Sequence, residues 1–349
     1  MEQEKKPHLT LIGTGGTIVS SRTEEGIKPT KGLTELLRKA HYLSKTFNVE
    51  YTELAHKDST LINQIEWQRV AKAAYEATMK GNKVLITHGT DTLAYTGAAI
   101  SLAVRSPHQT IVLTGSMRTL DSKDSDVVKN LTDAGIFLAQ GPPGVYIVFN
   151  GRVMLASRAL KVSSIDIDAF HTVNEEYVAT IQDGQVLYNG WRHADGSFDS
   201  VLDDKFDGRV VTLKAVPGLL PKVLEAIETS GVRGVVIEAF GMGGIPYSLR
   251  EDGNGGSISG FLGKVIETAH KIPIVVVSQV PHGGLDLREY EVGRKISDSP
   301  IIDGKDMTSE AAQVKLMWAL GQNMSLEEIK KAFATSYAGE IKIDELRRL

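Results

Sequence analysis

Cysteine is absent from the 349 residues, which excludes disulfide stapling and thiol catalysis but leaves the cellular compartment open. Neither sign of charge predominates strongly: the net value is −4 and the basic residues are scattered, so nothing attracts nucleic acid broadly. Lys5-Lys6 is too short a basic run to alter that. No stretch approaches membrane-spanning length, and Leu9 to Ile12 is a strand-length apolar run, not a signal-peptide core. Cytoplasm is therefore the expected location. The nine histidines form no HExxH arrangement, and Asp166-Ile167-Asp168 lacks the rest of a calcium loop, so no metal or cofactor is expected. Internal repeats and low-complexity segments are likewise missing.

What is present is a βα rhythm long enough for two domains with sizeable cores. Short β-rich apolar runs at His8 to Ile12, Phe47 to Ala55, Lys83 to Thr87, Gln109 to Leu113 and Val145 to Phe149 read as buried parallel strands. Trp67, Val70, Ala71, Ala74 and Tyr75 fall on one face of a helix spanning Gln64 to Met79, and Val127, Leu131, Ala134 and Leu138 mark another. Turn signals at Asn189-Gly190, Asp195-Gly196-Ser197 and Asp203-Asp204 interrupt the pattern. The expected division is a domain over 1–189, a linker over 190–207 and a second domain over 208–349. Strands are expected there at Arg209 to Leu213, Gly234 to Ile237 and Ile274 to Val277, with helices around Pro217 to Thr229 and Ser257 to Lys271. The fold class is α/β: a larger, mostly parallel, doubly wound N-terminal sheet with flanking helices, and a smaller C-terminal α/β domain.

Loops leaving the carboxyl ends of parallel strands are where such sheets bind ligands. Five are candidates here: Thr14-Gly15-Gly16-Thr17-Ile18, Lys57-Asp58-Ser59-Thr60, His88-Gly89-Thr90-Asp91-Thr92, Thr114-Gly115-Ser116-Met117 and Asn150-Gly151. In the first, Gly15-Gly16 permits a tight turn that leaves the Thr17 hydroxyl beside exposed N–H donors, as a nucleophile requires. Ile18 stands where a dinucleotide fingerprint needs a small residue, and the lysine of a phosphate-binding P-loop is missing, although a plain tight turn fits as well. In the third, a helix starting close to Asp91 would put Thr90 and Asp91 at its N-terminus, where an amino acid's α-carboxylate can be held. Asp91 could take the α-ammonium, or serve only as an N-cap. His88 is expected to hydrogen-bond within its loop, and His282, beside Gly283-Gly284, to belong to a turn.

With these residues the chain resembles the bacterial and archaeal-type L-asparaginases, including the glutaminase-asparaginases and the amidotransferase subunit of the same fold. The five-residue segments at 14–18 and 88–92, Asp58-Ser59-Thr60, Thr114 to Met117, and Lys161 followed by Asp168-Ala169-Phe170 occur in the family's order. Gly241 to Pro246 and Asp306-Met307-Thr308 extend the similarity through the second half. The resemblance implies that Thr17 attacks the side-chain amide carbon to form an acyl-enzyme, with Thr90, Asp91 and Lys161 as the second catalytic group. It implies substrate binding by Asp58, Ser59 and Thr60 together with Thr90 and Asp91, and an oxyanion hole from the N–H groups of Thr17 and Thr90. A threonine hydroxyl needs activation. A free lysine is protonated at neutral pH, with a pKa of about 10.4, so Lys161 acts either as a base in a pKa-lowering environment or as a cation that orients Thr90.

One position departs from the family. Many members carry a tyrosine in the mobile loop after the first motif, whereas Glu24 to Pro29 here offers Ile27, which has no hydroxyl but could exclude water on closure. The resemblance further implies a homodimer or dimer of dimers, with Gly241 to Pro246 and Pro281 to Gly284 as candidate contacts. Three functions remain open: a free cytosolic L-asparaginase; a glutamine-preferring hydrolase or amidotransferase subunit; and a non-catalytic amino-acid-binding protein. The short run Glu2 to Pro7 favours the free enzyme over one with an added N-terminal domain, and a sensor would not need Thr17 alongside the Thr90, Asp91 and Lys161 set.

Overall fold

The structure, a computed structural model, describes residues 6–24, 26–190, 199–250, 257–287, 296 and 299–342. The chain divides into two compact units, Met1–Lys205 and Phe206–Leu349. Of the segment expected to link two domains, Asp195 to Ser197 lie outside the described residues, and Val201–Leu202 pair with Val104–Arg105 of the first unit.

An eight-stranded sheet organises the first unit. Five strands are parallel, in the spatial order Asn48–Lys57, His8–Gly15, Lys83–Thr87, Thr110–Thr114, Gly144–Phe149. Arg152–Leu155, Ala179–Gln182 and Gln185–Tyr188 extend the far edge antiparallel. Since the chain starts on an inner strand, moves outward to Asn48–Lys57 and returns past its start to Lys83–Thr87, the winding reverses between the first and third strands. That reversal opens a crevice at their carboxyl ends.

Both faces of the sheet are covered, which explains the near-continuous apolar runs. Leu9, Leu11, Leu85, Val112, Tyr146 and Val148 point into one core with residues of the helices Leu33–Lys39, His41–Thr46 and Val127–Gln140. The alternate residues Ile12, Ile86, Leu113 and Ile147 are also buried, and Gly97 of helix Leu93–Ala103 packs against Ile147. Helix Gln64–Met79 spans the expected residues, because Asn63 and Glu66 close a capping box at its start and Trp67, Val70, Ala71 and Ala74 are buried.

The second unit carries four parallel strands in chain order: Val210–Lys214, Gly234–Ala239, Ile274–Ser278 and Ile302–Asp303. Two helix boundaries differ from the sequence expectation. Pro217 and Gly218 form a turn, with Gly218 at a φ of 78°, so that helix starts at Lys222. Ser257–Ser259 form a short strand with Ser248–Arg250, and the following helix covers Gly260–Ala269. Among the described residues no helix is long and apolar enough to cross a membrane.

Candidate active site

Strand register brings three of the candidate loops side by side. Gly13 pairs with Thr87 and Gly15 with Lys57, so the chain leaves the sheet at one level toward Thr17, toward Asp58 and toward His88. Gly16 N–H donates to Lys57 O at 2.9 Å, and Thr14 Oγ1 to Thr87 O at 3.0 Å. Gly16 adopts a φ of +83°, and a Cβ on it would lie 2.3 Å from both N and Cα of Gly89. Main chain therefore touches main chain, and no other residue fits. Thr17 then opens a single 3₁₀ turn, Thr17–Val19, and is only partly buried. Among the described residues neither its hydroxyl nor its N–H has a protein partner.

The second loop is held from below by a buried hydrogen-bonded chain. A carbonyl only accepts, so the 2.7 Å contact between His88 Nδ1 and Gly89 O makes Nδ1 the donor. His88 Nε2 is then the acceptor for the Thr96 hydroxyl at 2.9 Å, and Thr96 Oγ1 in turn receives Trp67 Nε1–H at 3.0 Å. Burial pushes the imidazole down from 6.5 to about 4, against the opposing pull of its Gly89 bond, which keeps it neutral in this relay. Because the peptide is trans, anchoring the Gly89 carbonyl toward His88 turns the Thr90 N–H the other way. That N–H has no acceptor among the described residues.

Lys161 reaches the same loop from a two-stranded ladder, Ala159–Lys161 against Phe170–Thr172. Its Nζ lies 2.8 Å from Thr90 Oγ1 and 2.6 Å from Asp91 Oδ1. Thr90 is buried while the Asp91 side chain is 58% exposed, so the lysine bridges an inner hydroxyl and an outer carboxylate. Helix Leu93–Ala103 takes Thr92, not Asp91, as its N-cap residue, which leaves the Asp91 carboxylate to Lys161.

On the neighbouring loop, Asp58 accepts from Thr60 N–H at 2.9 Å and Thr60 Oγ1 at 2.7 Å, so these two side chains satisfy each other. Ser59 is buried between them and has an unpartnered hydroxyl among the described residues. The loop is braced by Lys57 Nζ, 2.5 Å from Glu66 Oε1 in the capping box of the following helix.

The description "Asparaginase, N-terminal" matches residues 8–193, and "Glutaminase/Asparaginase C-terminal domain" matches residues 209–333. The chain belongs to the asparaginase family. An L-asparaginase from Thermococcus kodakarensis is 39% identical over 336 residues, covering 95% of this chain and 98% of that protein. A glutamyl-tRNA(Gln) amidotransferase component from Pyrococcus abyssi is 31% identical, covering 96% of this chain and 77% of that protein. The solved thermostable L-asparaginase from Thermococcus kodakarensis superposes with a TM-score of 0.87 over 96% of this chain and 99% of that one, at 38% identity. L-asparaginase I from Vibrio cholerae, at 22% identity, shares the fold with a TM-score of 0.81 over 97% of this chain and 99% of that chain.

All seven expected asparaginase-family positions fall in the first unit: Thr17, Asp58, Ser59, Thr60, Thr90, Asp91 and Lys161. The remaining candidate loops play local parts. Gly115 packs against His88 O, Ser116 Oγ donates to Arg118 O, and Asn150 and Gly151, both at positive φ, make the tight turn between two sheet strands. Glu24 to Pro29, in which Glu25 lies outside the described residues, is no open loop: Gly26–Pro29 pairs antiparallel with Ser20–Thr23, and Ile27 sits in that hairpin. Ser21 Oγ and Lys31 Nζ both donate to the Asp121 carboxylate, at 2.9 and 2.5 Å, tying the base of the hairpin to the loop after Thr114. Sequence reasoning missed the Thr96 and Thr92 contacts, because neither hydroxyl follows a periodic pattern or belongs to a motif of catalytic residue types.

Proposed function

We propose that this asparaginase-family chain is an L-asparaginase, hydrolysing the side-chain amide of L-asparagine to L-aspartate and ammonia through a threonine acyl-enzyme. The observation that carries the reading is the Thr90–Lys161–Asp91 set, at 2.8 and 2.6 Å, on a loop in backbone contact with the one bearing Thr17. Thr17 Oγ1 attacks the amide carbon, its proton passes by way of the Thr90 hydroxyl to the departing amide nitrogen, and the C–N bond of the tetrahedral intermediate breaks to release ammonia and leave the ester. Water then attacks the ester, releasing aspartate and restoring the hydroxyl. The unpartnered N–H groups of Thr17 and Thr90 are the donors for the oxyanion. Ser59, with Asp58 and Thr60 shaping its loop, holds the amino-acid end of the substrate, and Asp91 takes its ammonium. Lys161 serves either as the base acting through Thr90 or as the cation that orients it. No cofactor enters this chemistry.

The same reading extends to a cytoplasmic enzyme that works as a homodimer or dimer of dimers. Met242 in the first candidate contact segment, with Phe240, Tyr247 and Val280 beside the two segments, supports self-association because all four are large, apolar and exposed. The test is ammonia release from L-asparagine and L-glutamine by the wild type and Thr17→Ala. Asparagine turnover falling on the order of 10⁴-fold in the variant is expected. Dominant glutamine turnover would select the glutaminase alternative, and absence of release from both would leave only amino-acid binding.

A further inference from the structure

Thr92 occupies a position where threonine ordinarily caps its own helix, yet its hydroxyl makes no capping bond to the first turn of Leu93–Ala103. It donates instead to Ser59 O, 2.8 Å away and 33 residues earlier in the chain. The same carbonyl receives Ile62 N–H at 3.1 Å, so two donors fix the plane of the Ser59 peptide. On its other side Ser59 meets bare backbone: a Cβ on Gly89 would lie 2.7 Å from Ser59 Cβ and 2.8 Å from its Oγ. Ser59 is 3% exposed, and its hydroxyl has no protein partner among the described residues. A hydroxyl left unpaired on so buried a residue, its oxygen not sealed from solvent, is open to a polar ligand group.

We propose that Thr92 is a positioning residue for substrate, whose hydroxyl clamps the Ser59 carbonyl and so presents the Ser59 hydroxyl to the charged amino-acid end of the amide. The proposal rests on the amidohydrolase reading above. It assigns Thr92 to binding, not to the covalent steps, since among the described residues the Thr92 hydroxyl bonds the Ser59 carbonyl and neither Thr90 nor Lys161.

The experiment compares steady-state ammonia release from L-asparagine for wild type, Thr92→Val, Thr92→Ala, Thr92→Ser and Thr17→Ala. Loss of one neutral hydrogen bond used in binding predicts a KM raised about 3- to 10-fold in Thr92→Val, with kcat within about twofold of wild type. Thr92→Ser, which keeps the donor, is expected within about twofold of wild type on both parameters. If circular dichroism shows Thr92→Val misfolded, Thr92→Ala carries the same expectation. A KM for the folded variant equal to wild type overturns the proposal, as does a fall in kcat at constant KM or a failure of serine to rescue. The underlying reading fails separately, and takes the proposal with it, if the wild type releases no ammonia or Thr17→Ala retains full turnover.

Discussion

Replacing Gly16 by alanine tests whether backbone contact between the two threonine loops builds the site. The new methyl would meet Gly89 N and Cα at 2.3 Å, and neither atom can rotate away. A Cβ in left-handed backbone, here at a φ of +83°, adds about 1–2 kcal/mol, and forced overpacking about 1–3 kcal/mol. The expected loss of stability is thus about 2–5 kcal/mol, or on the order of 5–15 °C in the melting temperature of a unit this size. Relief of the clash would part the Thr17 and Thr90 loops by a sizeable fraction of an ångström, enough to lower turnover about 100-fold. Gly81→Ala is the control: its φ is +85°, but a Cβ there has nothing within 4 Å. That variant bears the backbone strain alone and should keep wild-type turnover. Thermal unfolding and ammonia release on both proteins decide the matter. If Gly16→Ala is no less stable than Gly81→Ala and hydrolyses asparagine at the wild-type rate, the contact does not position Thr17.

Two further predictions concern buried charge. His88 titrates at about 4 in the folded state against 6.5 unfolded, so the unfolded chain binds more protons between those values. Stability from this group is therefore full above pH 6.5 and falls by about 3 kcal/mol as the pH drops to about 4. Urea midpoints for His88→Asn should lack that part of the pH slope; an unchanged slope would refute the assignment. In the second unit, Lys315 and Glu340 are paired at 2.5 Å with side chains 0% and 1% exposed. Lys315→Met should cost about 3–5 kcal/mol by leaving the buried carboxylate without its cation, and adding Glu340→Leu should recover little in denaturant titrations, because the Tyr337 and Ala338 N–H groups that the carboxylate accepts would then lose their partner.

How far the sequence revealed this arrangement depended on whether the signal was local. The helix over Gln64 to Met79 was readable because its apolar stripe lies within one segment, and the structure adds the Asn63 and Glu66 cap. The parallel strands were readable because burial on both faces makes them continuously apolar, and their ends located the loops. Sequence did not reveal the hairpin formed by Ser20–Thr23 and Gly26–Pro29, whose mixed polar residues lack an alternating pattern. Nor did it reveal links made across separate elements: Trp67 to Thr96 over 29 residues and Thr92 to Ser59 over 33. Pairings at such separations are set by the stacking of loops on the sheet edge, which no short-range pattern encodes. The roles of Lys161 and Asp58 came from family resemblance, and the structure adds that Lys161 touches both Thr90 and Asp91 whereas Asp58 turns toward its own loop.

The joint between Gly16 and Gly89 also sets where an engineer can work. Where two loops meet through main chain alone, a library randomised at either glycine samples mostly damaged proteins, because every replacement begins with a misplaced methyl. Substrate preference has to be retuned from side chains around that joint, Ser59 and its Thr92 clamp among them, while the meeting point of the loops stays fixed.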